Sequence, residues 1–330
     1  MDAPGCIVEY SRIAEPRLRA FLDRKLQALQ ALPVDLRDVA AALRDYLLRG
    51  GKRLRGALLI AGHQAAGGRR EAALDASIGV ELLHGYLLIH DDFMDQDDVR
   101  RGGPTLHRAL GGDHLGASLA LLCGSLCESW AYQLLGPGAP LAARTVEQVI
   151  AGQMADLRGP RGRELSAREI LEVQRAKTGT YTFELPLHLG ATLAAAPQVL
   201  LDALSAYARP LGVAFQIADD LLGTFGAPEM TGKPNAGDLR EGKWTLLVAR
   251  ALESAAEEDA DRLRSQLGKA DADVEELRGI LRRSGAEASA RADAERLCDD
   301  ALRALDSPAV PEHVADDLRA IARYSVHRAL

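Results

Sequence analysis

Two apolar, helix-patterned runs in this chain each end in a pair of aspartates. Glu81 to His90 leads into Asp91-Asp92-Phe93-Met94-Asp95, and Ala206 to Ala218 leads into Asp219-Asp220-Leu221-Leu222-Gly223. Uncompensated charge beside a core is costly or shifts its pKa, so adjacent carboxylates in such a place need a partner. A divalent cation is the simplest one. Mg²⁺ favours carboxylate oxygen, keeps several waters and often completes its shell with substrate phosphates. Asp91 and Asp95 lie about 40° apart on a helix and one turn from each other. Asp92 flanks the same face, so the group suits one or two metals. A solvated acidic helix end would explain one such cluster; two, each accompanied by basic groups, favour metal.

The basic residues come in short groups. Gly50-Gly51-Lys52-Arg53-Leu54-Arg55 precedes an apolar helix, and Arg100-Arg101-Gly102-Gly103-Pro104-Thr105 follows the first acidic cluster. Thr231-Gly232-Lys233-Pro234 and Asp238-Leu239-Arg240-Glu241-Gly242-Lys243 follow the second. Arg offers a planar fork of donors suited to phosphate, and Lys a compact charge. Glycines let backbone approach a phosphate, and a helix start adds free N–H donors. Any one group reads as an ordinary charged loop. Four groups around two acidic clusters suggest two diphosphates, one held through metal and one held directly by cations.

With these motifs in place, the chain resembles the trans-prenyltransferases, the head-to-tail isoprenyl diphosphate synthases of the polyprenyl synthetase family. The matching segments are GGKRLR, ELLHGYLLIHDDFMDQDDVRRGGPTLH, GQMADL, KTGTYT, FQIADDLLGTFG, TGKP and DLREGKWT. DDFMD alone also suits terpene cyclases; its combination with RRGGPT and a second Asp pair is specific.

The resemblance implies an all-α helical fold with a central cavity and a site using Mg²⁺, two or three ions. It implies that Asp91, Asp92 and Asp95 form the first metal motif and Asp219 and Asp220 the second. Lys52, Arg55, His84 and Arg101 match the isopentenyl diphosphate pocket. Arg100, Lys177, Lys233 and Lys243 match contacts to the allylic diphosphate, and Thr178 and Gln216 match polar groups near the developing carbocation. His84 lies seven residues before Asp91 and Gln216 three and four before Asp219 and Asp220, each on nearly one helix face with its motif. A homodimer is expected by the same analogy.

Three departures stand out. Gly223 occupies a place where many relatives carry a third Asp. Gly56 follows Arg55 where proline is frequent, which predicts a looser helix start. Trp244 follows Lys243 where a polar or basic residue is common.

Product length in this family depends on the residues beneath the first motif. Leu87 is four residues before Asp91 and Tyr86 five, and bulky side chains there form a floor. The aromatic at 86 resembles geranylgeranyl diphosphate synthases and favours a twenty-carbon product; the bulk of Leu87 keeps a fifteen-carbon farnesyl product in contention.

The 330 residues, 47% hydrophobic, suffice for a large core, and no linker divides them, so a single domain over 1–330 is expected. Alternating strand patterns are absent. Helices are predicted over 14–31, 36–49, 53–66, 70–93, 114–135, 140–157, 166–193, 197–224, 242–266, 272–284, 286–304 and 311–328. Net charge is −7 without a long basic run, which argues against nucleic acid. The N-terminus lacks signal-peptide character, and no stretch approaches 18 uncharged apolar residues, so a cytoplasmic location without stable membrane insertion is expected. Cys6, Cys123, Cys127 and Cys298 are irregularly spaced and read as free thiols.

Two other functions compete. A class I terpene cyclase would leave Lys52, Arg55, His84 and Arg101 unexplained. A non-catalytic partner subunit has only Gly223 and Trp244 in its favour.

Overall fold

In the computed structural model the described residues are 2–29, 31–159, 164–226, 237–240, 242–269 and 271–327, with no side-chain description at 176–178. Lys233 therefore lies outside the described residues, as do the side chains of Lys177 and Thr178.

The protein is all-α. The α-helices are α1 Gly5–Leu29, α2 Arg37–Leu48, α3 Leu54–Ala65, α4 Arg70–Met94, α5 Leu106–Ala109, α6 His114–Leu135, α7 Ala139–Arg158, α8 Ala167–Gln174, α9 Leu185–Leu193 and α10 Gln198–Phe225. There follow α11 Gly237–Arg240, α12 Leu246–Ser254, α13 Glu257–Gln266, α14 Val274–Arg283, α15 Ala286–Ala304 and α16 Glu312–His327. A 3₁₀ turn occupies Gly136–Gly138 and a π-helix Arg175–Glu184. Among the described residues the strands are β1 Val99–Arg100 and β2 Gly103–Pro104, an antiparallel pair.

Several helix starts follow from their caps. Asp113 accepts from the Gly116 amide at the start of α6. Ser166 and Glu169 form a capping box on α8. Thr245 and Asp273 cap α12 and α14. Each cap satisfies a donor that a helix leaves orphaned.

The structure corrects some predicted boundaries. A helix is predicted over 14–31, yet α1 begins at Gly5 and carries Pro16 inside it. The span 242–266 is two helices, parted at residues 255–256. The span 166–193 is interrupted by the π-helix, and the β1–β2 hairpin went unread.

The chain divides into two compact units. One comprises residues 3–142 and 186–196; the other comprises 1–2, 143–185 and 197–330. In the first, α4 packs along α6 and on α3. Leu82, Leu83, Ile78 and Ile89 of α4 are almost fully buried, with Cys123, Cys127 and Ala131 of α6. Although no uncharged run is long enough to span a bilayer, α4 has an 18-residue window of mean hydropathy 1.4, of which 72% is buried inside the protein. Its apolarity serves the core. In the second unit α10 is the central helix, packed against α15 and the π-helix, with Tyr207, Leu204 and Leu211 buried. All four cysteines are free, and Cys123, Cys127 and Cys298 are buried.

Candidate active site

In the first unit, the end of α4 presents the first aspartate motif. Asp95 is the C-cap residue, and its amide donates to the Asp91 carbonyl at 2.7 Å. Asp91 and Asp95 are part-exposed, whereas Asp92 is fully buried. The Tyr46 hydroxyl donates to Asp92 Oδ2 at 2.6 Å, and Arg100 Nε donates to Oδ1 at 2.7 Å. Arg100 also holds Asp97 at 2.8 Å. The expectation that Asp92 ligates metal alongside its neighbours is thus narrowed: both its oxygens face protein donors.

Arg100 and Arg101 are aimed by the β1–β2 hairpin. Arg101 and Gly102 both have positive φ, +52° and +73°, as the two central residues of a hairpin turn often require. Arg49 clamps the hairpin by donating to the Pro104 carbonyl at 2.6 Å and the Arg100 carbonyl at 3.3 Å.

The start of α3 supplies the other cations. Arg53 adopts a left-handed conformation, φ +48°, as its N-cap. Its guanidinium donates to the Leu47 carbonyl at 2.9 Å and to Glu81 at 3.4 Å. A Cβ at Gly51 would lie 2.8 Å from the Arg101 guanidinium carbon, so glycine lets the arginine approach backbone. A small cavity here is lined by Tyr46, Arg53, Glu81, His84, Leu88 and Arg101. Burial, then the charges of Arg55, Arg101, Arg100 and Arg53, hold the His84 imidazole well below the usual histidine range. Burial and Arg53 lower the Arg101 guanidinium too, against the opposing pull of Glu81. Such crowding of cations is a ready receptor for a polyanion.

Gly56 does not loosen the helix start. Its amide donates to Glu81 Oε1 at 2.8 Å, and a Cβ there would sit 1.9 Å from the Tyr10 hydroxyl. Proline has no such N–H.

The expected chain-length residues lie on the same helix as Asp91. Tyr86 is buried, and its ring meets His90 edge-on at 4.7 Å between centroids; Leu87 is half-buried. His90 fits against α6 because residue 124 is glycine, whose Cβ would come within 2.5 Å of the imidazole.

In the second unit, Asp219 is exposed and Asp220 buried. Gln174 donates to Asp220 Oδ2 at 2.7 Å and Gln216 to Oδ1 at 3.0 Å. Burial pushes the Asp220 carboxyl up to about 7, helped by the charge of Asp238 and opposed by the two amides. Asp220, like Asp92, is held by protein donors rather than presented outward. Gln216, expected near a carbocation, is placed against Asp220. Gln174 was missed in the sequence; its place three residues before Lys177 was the available signal.

Lys177 and Thr178 sit in the π-helix, a wide turn often found at functional sites. A Cβ at Gly212 of α10 would be 2.6 Å from the Gly179 carbonyl, so the two backbones meet there. Lys243 Nζ lies 3.8 Å from Asp238 Oδ1. Trp244 turns its indole away to donate to the Leu165 carbonyl at 3.1 Å, bracing the loop behind Lys243.

Among the described residues no three His, Cys, Asp or Glu side chains gather as a ready-made metal cage. Mg²⁺ does not require one: it is usually held by one or two carboxylates plus substrate phosphates. In the first unit the part-exposed pair Asp91 and Asp95 suits that kind of binding, and in the second unit so does exposed Asp219.

A family model for polyprenyl synthetases matches residues 37–283. The chain is 35% identical over 292 residues to (2E,6E)-farnesyl diphosphate synthase of Mycobacterium tuberculosis, covering 84% of this chain and 80% of the relative. It is 36% identical over 240 residues to geranylgeranyl diphosphate synthase of Sulfolobus acidocaldarius, covering 69% and 71%. Among solved structures, geranylgeranyl pyrophosphate synthase from Corynebacterium glutamicum, complexed with isoprenyl diphosphate and magnesium, is 36% identical with a TM-score of 0.90, covering 99% of this chain and 100% of that one. The chain belongs to the polyprenyl synthetase family and is a short-chain prenyl diphosphate synthase.

Proposed function

We propose that the protein is a Mg²⁺-dependent geranylgeranyl diphosphate synthase, adding isopentenyl diphosphate to an allylic diphosphate. The observation that carries this is the small cavity in which Arg53 and Arg101 meet His84, on the helix that ends in Asp91 and Asp95. Lys52, Arg55, His84 and Arg101 hold isopentenyl diphosphate. Arg100, Lys177, Lys233 and Lys243 hold the allylic diphosphate.

Asp91, Asp95 and Asp219 are the residues that would hold magnesium, while Asp92 and Asp220 keep their neighbours in place. Bound magnesium supplies positive charge opposite the departing diphosphate. The allylic C–O bond breaks, and the lysines and Arg100 stabilise the negative charge that develops. Thr178 and Gln216 lie beside the cation. The isopentenyl double bond then forms the new C–C bond, and a proton leaves to the released diphosphate. Excluding water protects the carbocation.

Buried Tyr86 on α4, with half-buried Leu87 beside it, supports a floor that stops growth at twenty carbons. Exposed apolar residues support a homodimer: Leu115 and Leu122 on α6, and Ile150, Met154 and Leu157 on α7.

Incubating the purified chain with isopentenyl diphosphate, each allylic primer and Mg²⁺, then sizing products by chromatography, tests the proposal. Geranylgeranyl diphosphate supports it. Farnesyl diphosphate as the end product replaces it with the fifteen-carbon reading. Hydrocarbon release, or no turnover without a second subunit, overturns it.

A further inference from the structure

Arg101 turns the chain with a left-handed backbone, φ +52°. A side-chain-bearing residue in that region is strained and persists only where its surroundings over-determine it. Here the surroundings include Arg49, the C-cap residue of α2. Its Nη1 donates to the Pro104 carbonyl at 2.6 Å and to the Arg100 carbonyl at 3.3 Å, one on each side of the turn. A Cβ at Gly103 would lie 2.5 Å from the Arg49 guanidinium carbon, so glycine lets the fork lie against the hairpin. From behind, Asp45 Oδ2 accepts from Arg49 Nε at 2.9 Å and from Nη2 at 2.6 Å. The guanidinium also covers the Tyr46 ring, 5.8 Å from its centroid.

We propose that Arg49 is a positioning residue for isopentenyl diphosphate: it holds the β1–β2 turn in the strained shape that aims Arg101. The inference rests on the reading of Arg101 given above.

The two arginines of the hairpin differ in how they are held. Arg100 has side-chain anchors of its own, Asp92 at 2.7 Å and Asp97 at 2.8 Å. Arg101 is exposed and lies over the Gly51 backbone, at the rim of the cavity that holds His84. Its direction comes from the turn. Arg49 does not line that cavity, so it acts through Arg101. Releasing Arg49 therefore disturbs Arg101 more than Arg100, and one substrate more than the other.

The test is steady-state kinetics of the full chain with both substrates, alongside thermal unfolding. Arg49→Met keeps the stem and removes the fork; Asp45, whose side chain is 64% exposed, is left in water rather than stranded. The KM for isopentenyl diphosphate is expected to rise ~10–100-fold, the scale of a small misplacement. The KM for the allylic diphosphate and kcat are expected to stay near wild type, as when binding common to ground and transition states is lost. Arg49→Lys, which can still donate to one carbonyl, is expected to recover part of the affinity. Gly103→Ala, which pushes the fork off the hairpin, is expected to reproduce the selective rise, and it serves if Arg49→Met does not fold. In an Arg101→Gln background, Arg49→Met is expected to raise that KM no further, because the two residues act as one unit. Equal rises in both KM values, the same rise with and without Arg101, or a lower unfolding midpoint with the isopentenyl KM unchanged would each overturn the inference. If Arg101→Gln itself leaves the isopentenyl KM unchanged, the reading of Arg101 falls as well.

Discussion

The Tyr46 hydroxyl donates a 2.6 Å hydrogen bond to Oδ2 of Asp92, tying α2 to the last turn of α4. Arg100 completes the arrangement from the other carboxylate oxygen. Asp92, with no exposed surface, is thereby neutralised and fixed, and it steadies the turn that carries Asp91 and Asp95. Tyr46→Phe keeps the ring and removes only the donor. Hydrogen bonds to charged groups are worth about 1.5–3 kcal/mol, and the variant should lose that much unfolding free energy in a urea titration. Unchanged stability would mean that Arg100 alone suffices.

Asp91→Ala and Asp219→Ala each remove one outward carboxylate from a motif. A single well-placed electrostatic contact in a transition state is worth about 2.7–4 kcal/mol, so each variant should lose at least ~100-fold in turnover while keeping its far-UV circular dichroism. Near-normal turnover in both would contradict the assignment.

Tyr86→Ala and Leu87→Ala open space one turn below Asp91. Each should lengthen the products, read as later-eluting diphosphates. An unchanged distribution in both removes this floor from the account.

Gly56→Pro should be costly although proline is frequent at this place among relatives. It deletes the amide that donates to Glu81 and pushes atoms into the Tyr10 hydroxyl. A loss of at least about 2 kcal/mol is expected in denaturant melts, from an unsatisfied buried acceptor together with overpacking. Gly56→Ala separates the causes, because it retains the amide and tests the crowding alone.

His84 should make stability fall on the acid side. Its folded pKa is depressed by burial and by the surrounding arginines. Above the unfolded value, about 6.5, both states are neutral and the full stability is present. As pH drops below that, the unfolded chain takes up the proton first, and stability is lost at up to ~1.4 kcal/mol per pH unit. His107 has a lowered pKa as well and adds to the slope, so the comparison is with His84→Gln between pH 7 and pH 5. Identical slopes for the two proteins would show that His84 is not protonated on unfolding.

The aspartate pairs were legible because a carboxylate at the end of an apolar helical run is chemically conspicuous. The helical class followed from the absence of alternating runs. What could not be read depends on contacts between distant residues. The Tyr46–Asp92 bond spans 46 positions, and nothing local marks Tyr46 as its donor. The service of Gly56 to Tyr10 and Glu81 is likewise invisible until three helices are packed. Helix α1 begins at Gly5, before the predicted start at 14, and continues through Pro16. The close approach of Gly179 in the π-helix to Gly212 of α10 is likewise a contact between distant positions. Trp244 has a clear role once its indole is seen on the Leu165 carbonyl.

Helices α3 and α9 meet with almost nothing between them. A Cβ at Gly62 would fall 2.1 Å from the Leu187 carbonyl oxygen, and one at Gly190 would fall 1.9 Å from that of Leu59. His63 Nδ1 lies 3.0 Å from the Gly190 carbonyl, adding a polar rivet. Such a joint has no side chains to rearrange, so it can neither slide nor be tuned by small substitutions. Selection for a different product would have to leave this seam untouched and act on neighbours that still have room to give.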